Sequence, residues 1–158
     1  MMKVGIGQDS HRFDFENKEK VLLLGGVIFP GSAPLLGNSD ADVILHALTN
    51  AVSGVTGTNI LGNIADDMCL KDGITDSRKY LAEALKYLNK EEKIVHVSFT
   101  AECKTPKISP KIDEIKKSIS HLLNIPVSAV GLTATTGEEL TDFGRGLGIQ
   151  VFCVITVE

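Results

Sequence analysis

Two hydrophobic periods alternate along this 158-residue chain, and their order limits the fold more than its composition does. Lys3–Gly7 and Lys20–Leu24 read as short strands, the second continuing past Gly25-Gly26 through Val27–Phe29 to Pro30-Gly31, and together they suggest an opening antiparallel unit. Ser39-Asp40 offers an N-cap for a helix from Ala41 to about Ser53, in which Val43, Ile44, Ala47, Leu48, Ala51 and Val52 recur at helical spacing. Asp76-Ser77 caps a second helix to Asn89, with Tyr80, Leu81, Ala84, Leu85 and Leu88 on one side. Ile94–Glu102 alternates as a strand, and Lys111–Leu123 repeats Ile112, Ile115, Ile119 and Leu122 as a third helix. Val130–Thr135 and Ile149–Val157 are the closing strands. The order predicts an α+β fold, an α/β sandwich with a mixed four-stranded sheet, a small N-terminal β-hairpin and helices on one face. Residues 55–75 show no sustained period and are expected to form a functional connection or lid.

Composition narrows the partners. Sixteen basic residues against 20 acidic ones give a net charge of −4 with no basic stripe, which argues against nucleic acid. The longest apolar stretch, Val21–Phe29, is far shorter than the roughly 20 residues a membrane span needs. The opening residues carry no apolar targeting core, so a cytoplasmic protein is expected, or a plastid-stroma one whose targeting segment has been removed. Cys69, Cys103 and Cys153 are odd in number and widely spaced, as reduced packing residues are. A single domain over 1–158 is expected, with a folded surface of roughly 7,700 Å².

Three stretches can carry chemistry. In Asp9-Ser10-His11, residues two apart on an extended strand point to one side, and Asp42 and His46, four apart, share a face of the first helix. Two His and one Asp make an open N/O set of the kind that holds a catalytic zinc; the plainer alternative is a capping Asp9, a surface His11 and a packed His46. Thr133-Ala134-Thr135-Thr136-Gly137-Glu138 joins hydroxyls, backbone N–H groups and a carboxylate, which suits a phosphate with its divalent cation, or equally a Thr-rich strand ending in a solvated turn. Gly144-Arg145-Gly146-Leu147-Gly148 allows close backbone approach and an Arg fork onto phosphate, or is a turn with a surface Arg; it lacks dinucleotide-fold spacing. Lys104-Thr105-Pro106-Lys107 is a cationic rim or a solvated turn. His96 reads as structural and His121 as a surface residue.

With these residues assembled, the chain resembles the 2-C-methyl-D-erythritol 2,4-cyclodiphosphate synthase family, the cyclases of the non-mevalonate isoprenoid pathway. The resemblance rests on GIGQDSHRF, NSDADVILHAL, TDSRKYL, TPKISP and TATTGEELTDFGRGLGI, five motifs in order over nearly the whole chain. It implies that Asp9, His11 and His46 hold zinc or another divalent transition metal, and that Glu138 ligates a second cation, magnesium or manganese, at the substrate diphosphate. It further implies a cytidine-nucleotide pocket from Cys103, Lys104, Thr105, Pro106 and Lys107 on to Ser109, together with Ala134, Thr135 and Thr136, with Thr136 stabilising the transition state. Arg145 is implied near the diphosphate. Asp9, Ser10, His11, Asn38, Ser39, Asp42, Asn63, Ser77 and Glu138 complete the implied substrate contacts, and the family is a homotrimer with sites between subunits. The chain departs from the pattern at Asn38, where a catalytic His is usual, at Asn63, where an Asp is usual, and at Gly137, Glu139 and Asp142, which replace Thr, Lys and Phe.

The implied reaction is intramolecular phosphoryl transfer on a small cytidine diphosphate substrate. The 2-phosphate attacks the β-phosphorus and CMP leaves. Both groups are phosphate oxygens ionised near neutrality, so no general base is required. Two other readings of the same residues are a metal-assisted phosphohydrolase and a zinc- and nucleotide-binding trimer without turnover.

Overall fold

The computed structural model describes residues 1–158, in the order β1 (Lys3–Arg12), β2 (Leu22–Leu24), β3 (Val27–Phe29), α1 (Val43–Thr56), α2 (Asn63–Leu70), α3 (Ser77–Leu85), β4 (Ile94–Glu102), α4 (Ile112–Leu123), β5 (Val130–Thr135) and β6 (Gly148–Val157). Four strands make a mixed sheet in the order β1-β6-β4-β5, and β2 and β3 form a separate hairpin. β6 runs antiparallel to both β1 and β4, and β4 is parallel to β5. The carboxyl ends of β1, β4 and β5 therefore share one end of the sheet.

β1 does not pair with the hairpin as the sequence suggests. It is an edge strand whose partner is β6, and it continues to Arg12, which places Asp9 and His11 inside the strand. Its odd residues face α1. At Gly7 an added Cβ would lie 2.0 Å from the Ala47 carbonyl oxygen, and at Gly5 2.2 Å from that of Ala51. The missing side chains let the helix lie directly on the strand.

Asp42, rather than Ser39 or Asp40, caps α1, accepting the Leu45 N–H at 3.1 Å. The same carboxylate accepts Gly25 N–H at 2.8 Å and Gly26 N–H at 2.6 Å, so it ties the hairpin turn to the helix start. α3 ends at Leu85 rather than Asn89. The segment expected to be irregular contains α2, whose only buried residue is Ala65.

Leu48, Val52, Phe99, Val151, Cys153 and Ile155 lie in one buried cluster between the helices and the sheet. The opposite face of the sheet is bare. There Val4, Ile6, Phe152 and Val154 stand exposed beside one another, Ile6 paired with Val154. His96 is exposed, so it is not the buried structural histidine that its strand context suggests. No helix is long and apolar enough to cross a membrane.

Candidate metal centre

Past the glycines, the same face of β1 presents Asp9 and His11 to the first turns of α1, where His46 points back at them. Asp9 Oδ2 lies 2.8 Å from His11 Nε2 and 3.1 Å from His46 Nδ1, and the two ring nitrogens are 3.2 Å apart. A tetrahedral ion with ligand bonds of about 2.0–2.1 Å holds its donors about 3.3–3.4 Å apart. The triad fits such an ion with a relaxation of a few tenths of an ångström. Two imidazoles and one carboxylate are the donor set of an open divalent site, and these residues are positioned to bind a metal.

The ring nitrogens turned away from the centre are also engaged. His11 Nδ1–H donates to the Leu36 carbonyl at 2.8 Å, which leaves Nε2 free for a metal. His46 Nε2 is 2.8 Å from Ser77 Oγ. Burial pushes the Asp9 carboxyl up, but the adjoining His11 and His46 outweigh it and hold it down at about 2. Burial pushes His11 down, but its hydrogen bond to Asp9, the Asp9 charge and the Leu36 carbonyl together outweigh this and raise it above the ordinary value.

The triad opens into a cavity of about 270 Å³ that Asn38, Ser39, Asn50, Asp66, Cys69 and Tyr80 also line. Asp66 belongs to α2, within the segment where no period is legible in the sequence. Asn63 itself is exposed at the start of that helix and outside the cavity lining.

Two expected substrate contacts are corrected. Asp42 is fully buried and both its oxygens are occupied by backbone N–H groups, so it cannot face a ligand. Ser77 is also fully buried, behind His46. Ser10 alternates to the other side of β1 and lines a groove with Asp142, Phe143 and Leu147.

The remaining expected residues gather elsewhere. Cys103, Lys104, Pro106 and Lys107 face Ala134, Thr135 and Thr136 across a cavity of about 420 Å³. Thr105 is exposed outside its lining. Cys103 donates its N–H to Thr135 O at 3.1 Å, and burial pushes its thiol up to about 11, which suits a packing residue. Glu138 is exposed on the turn after β5, with its N–H toward Thr136 Oγ1. Lys104 pairs with Glu139 at 2.7 Å and, nearby in the chain, Arg145 with Asp142 at 2.7 Å, so these two cations are partnered within the chain. The metal triad and this second cavity share no lining residue.

Comparison with known proteins agrees with this arrangement. The 2-C-methyl-D-erythritol 2,4-cyclodiphosphate synthase of Chlamydia caviae is 51% identical over 98% of this chain and 88% of that protein. The bifunctional IspDF from Campylobacter jejuni matches with a TM-score of 0.88 and 26% identity over 99% of this chain, which spans 42% of that larger protein. The IspF–CDP complex from Plasmodium falciparum matches with a TM-score of 0.81 and 30% identity, covering 99% of this chain and 95% of that one. The YgbB family matches residues 2–158, nearly the whole chain, and with a relative 51% identical over 98% of it the chain belongs to the YgbB family.

Proposed function

We propose that this chain converts 4-diphosphocytidyl-2-C-methyl-D-erythritol 2-phosphate to 2-C-methyl-D-erythritol 2,4-cyclodiphosphate and CMP. The observation that carries this reading is the Asp9–His11–His46 triad, with three converging donors opening into a cavity, in a chain half identical to a named cyclodiphosphate synthase. A 2-phosphate oxygen bonds to the β-phosphorus and the bond from that phosphorus to the bridging oxygen breaks, with CMP taking the electron pair. Zinc held by the triad would supply positive charge to the β-phosphate, and magnesium or manganese, with Glu138 as ligand, would do so at the diphosphate. The chain's own part is to hold a flexible substrate folded on itself and to offer fixed donors to crowded negative charge. The Thr136 hydroxyl and the Asn38 amide are donors for that purpose, and the turn 103–109 supports the cytidine nucleotide, consistent with the relative bound to CDP.

The active form in this reading is a homotrimer whose sites lie between subunits. Asp9 pairs with Val151, Val151 with Ala101 and Ala101 with Ala134, so the metal and nucleotide halves sit on one row at opposite edges of the sheet. Three strand spacings amount to about 14 Å. A closed threefold ring brings one subunit's β1 edge to its neighbour's β4–β5 edge. The bare apolar face of Val4, Ile6, Phe152 and Val154 supports this, as does a surface of 8533 Å², above the roughly 7,700 Å² typical of a monomer this size.

The test is phosphorus NMR of the purified protein with the cyclase substrate, zinc and magnesium. A cyclic diphosphate with CMP supports the proposal; CMP with an open-chain phosphate identifies a hydrolase and overturns it.

A further inference from the structure

We infer that Asp40 and Ser77 are positioning residues for the metal site, fixing which nitrogen of His46 faces it. The inference rests on the metal reading of Asp9, His11 and His46, and it concerns a chain of contacts behind that triad. Asp40 Oδ1 takes the Ser77 hydroxyl in a short hydrogen bond and the Asp42 N–H at 3.0 Å, while Oδ2 takes the Ser77 N–H at 2.9 Å. Its own N–H donates to the Thr75 carbonyl at 2.9 Å, so the carboxylate is fixed between the entry to α1 and the first turn of α3. Ser77 Oγ in turn lies 2.8 Å from His46 Nε2.

Proton counting gives this chain a direction. An ionised carboxylate only accepts, and a serine hydroxyl has one proton. Asp40 takes that proton, so Ser77 Oγ meets His46 as an acceptor and His46 Nε2 must carry the hydrogen. Nδ1 is then bare, and Nδ1 is the nitrogen 3.1 Å from Asp9 Oδ2.

Asp9 competes for the same tautomer. Were the proton on Nδ1, it would donate to Asp9 and close the site with a hydrogen bond in place of a metal. Two carboxylates on opposite sides of one ring thus pull in opposite directions, and the half-buried Asp40, acting through the buried Ser77, settles the contest in favour of ligation. Ala41, buried between the two aspartates, holds a left-handed backbone (φ 56°). That turn sends Asp40 toward Ser77 and Asp42 toward the hairpin, an outlier of the sort found where geometry serves a site.

Long-range proton–nitrogen NMR of the metal-free parent at neutral pH reads the tautomer directly. His46 protonated at Nε2 is expected; protonation at Nδ1 overturns the inference. Ser77→Ala and Asp40→Asn should shift His46 toward the Nδ1-protonated form and weaken zinc binding by roughly ten- to a hundredfold in chelator competition. Ser77→Thr, which keeps the hydroxyl, should restore both. Folded Ser77→Ala protein with the parent tautomer and zinc affinity within about threefold of the parent would overturn the inference. If Ser77→Ala fails to fold, the parent spectrum and Asp40→Asn decide. Failure of the parent itself to bind zinc would count against the metal reading alone, since the tautomer is measured without metal.

Discussion

Asp9 and Ala134 occupy the same row of the sheet, joined through Val151 and Ala101, at its two opposite edges. In the proposed trimer, this separation predicts complementation between subunits. Asp9→Ala and Thr136→Ala chains, unfolded together in equal amounts and reassembled, should regain activity at roughly one quarter of the sites, because each composite site draws one chain at random on each side. Mixed trimers as inactive as either parent would place both halves within one chain.

His46→Ala should abolish stoichiometric zinc while leaving the far-ultraviolet circular dichroism unchanged, since an open metal site contributes less to folding than a closed structural one. Metal analysis of the purified variant is the check. Full occupancy would remove His46 from the site.

Metal-free protein should show a stability window set by the Asp9–His11 pair. Asp9 is held at about 2 against an ordinary 3.8, so its contribution is full above 3.8 and is lost as pH falls through 2. His11 is raised above 6.5, so its contribution is full below 6.5 and is lost as pH rises through the raised value. The two shifts share the Asp9–His11 interaction, with His46 adding to the depression of Asp9, and the combined contribution is greatest between pH 3.8 and 6.5 and worth on the order of 2 kcal/mol. Thermal melts across pH should show that maximum, and Asp9→Asn should flatten it.

Gly7→Ala should destabilise the fold by more than about 3 kcal/mol, above the usual range for overpacking, because the added methyl meets helix backbone on a strand that β6 holds in place. Urea titration is the measurement. Zinc content should fall with stability, since α1 also carries His46. A loss under about 1 kcal/mol would show that the helix can lift off the strand.

Asn38 lines the metal cavity where the family that the chain resembles usually carries a histidine. Restoring it by Asn38→His should raise turnover, by about tenfold if the added cation contributes 1.4 kcal/mol to the transition state. A variant no faster at saturating zinc and magnesium would mean that its neighbours already compensate.

The convergence of Asp9, His11 and His46 is legible because each depends on local geometry: the i,i+2 rule puts Asp9 with His11 on any strand, and α1 is strongly periodic. Pairing partners are not, because β1 contacts β6 across 136 to 154 residues of sequence and nothing in Lys3–Gly7 names that partner. α2 escaped because it is short, buries only Ala65 and starts at Gly62 without a side-chain cap. Asp42 and Ser77 match the motif, but sequence does not tell a polar side chain that touches a ligand from one that holds the groups behind it. Burial makes that distinction.

The pairing of β1 with β6 also governs when the site comes into being on the ribosome. Asp9 and His11 are translated more than 130 residues ahead of Gly148–Val157, and until those residues emerge their strand has no sheet partner. At about 5–20 residues per second, β1 waits on the order of ten seconds as an unpaired edge. Its two glycines, its charged Lys3 and Arg12 and its polar Gln8 and Ser10 make it a poor template for pairing with another nascent chain during that interval.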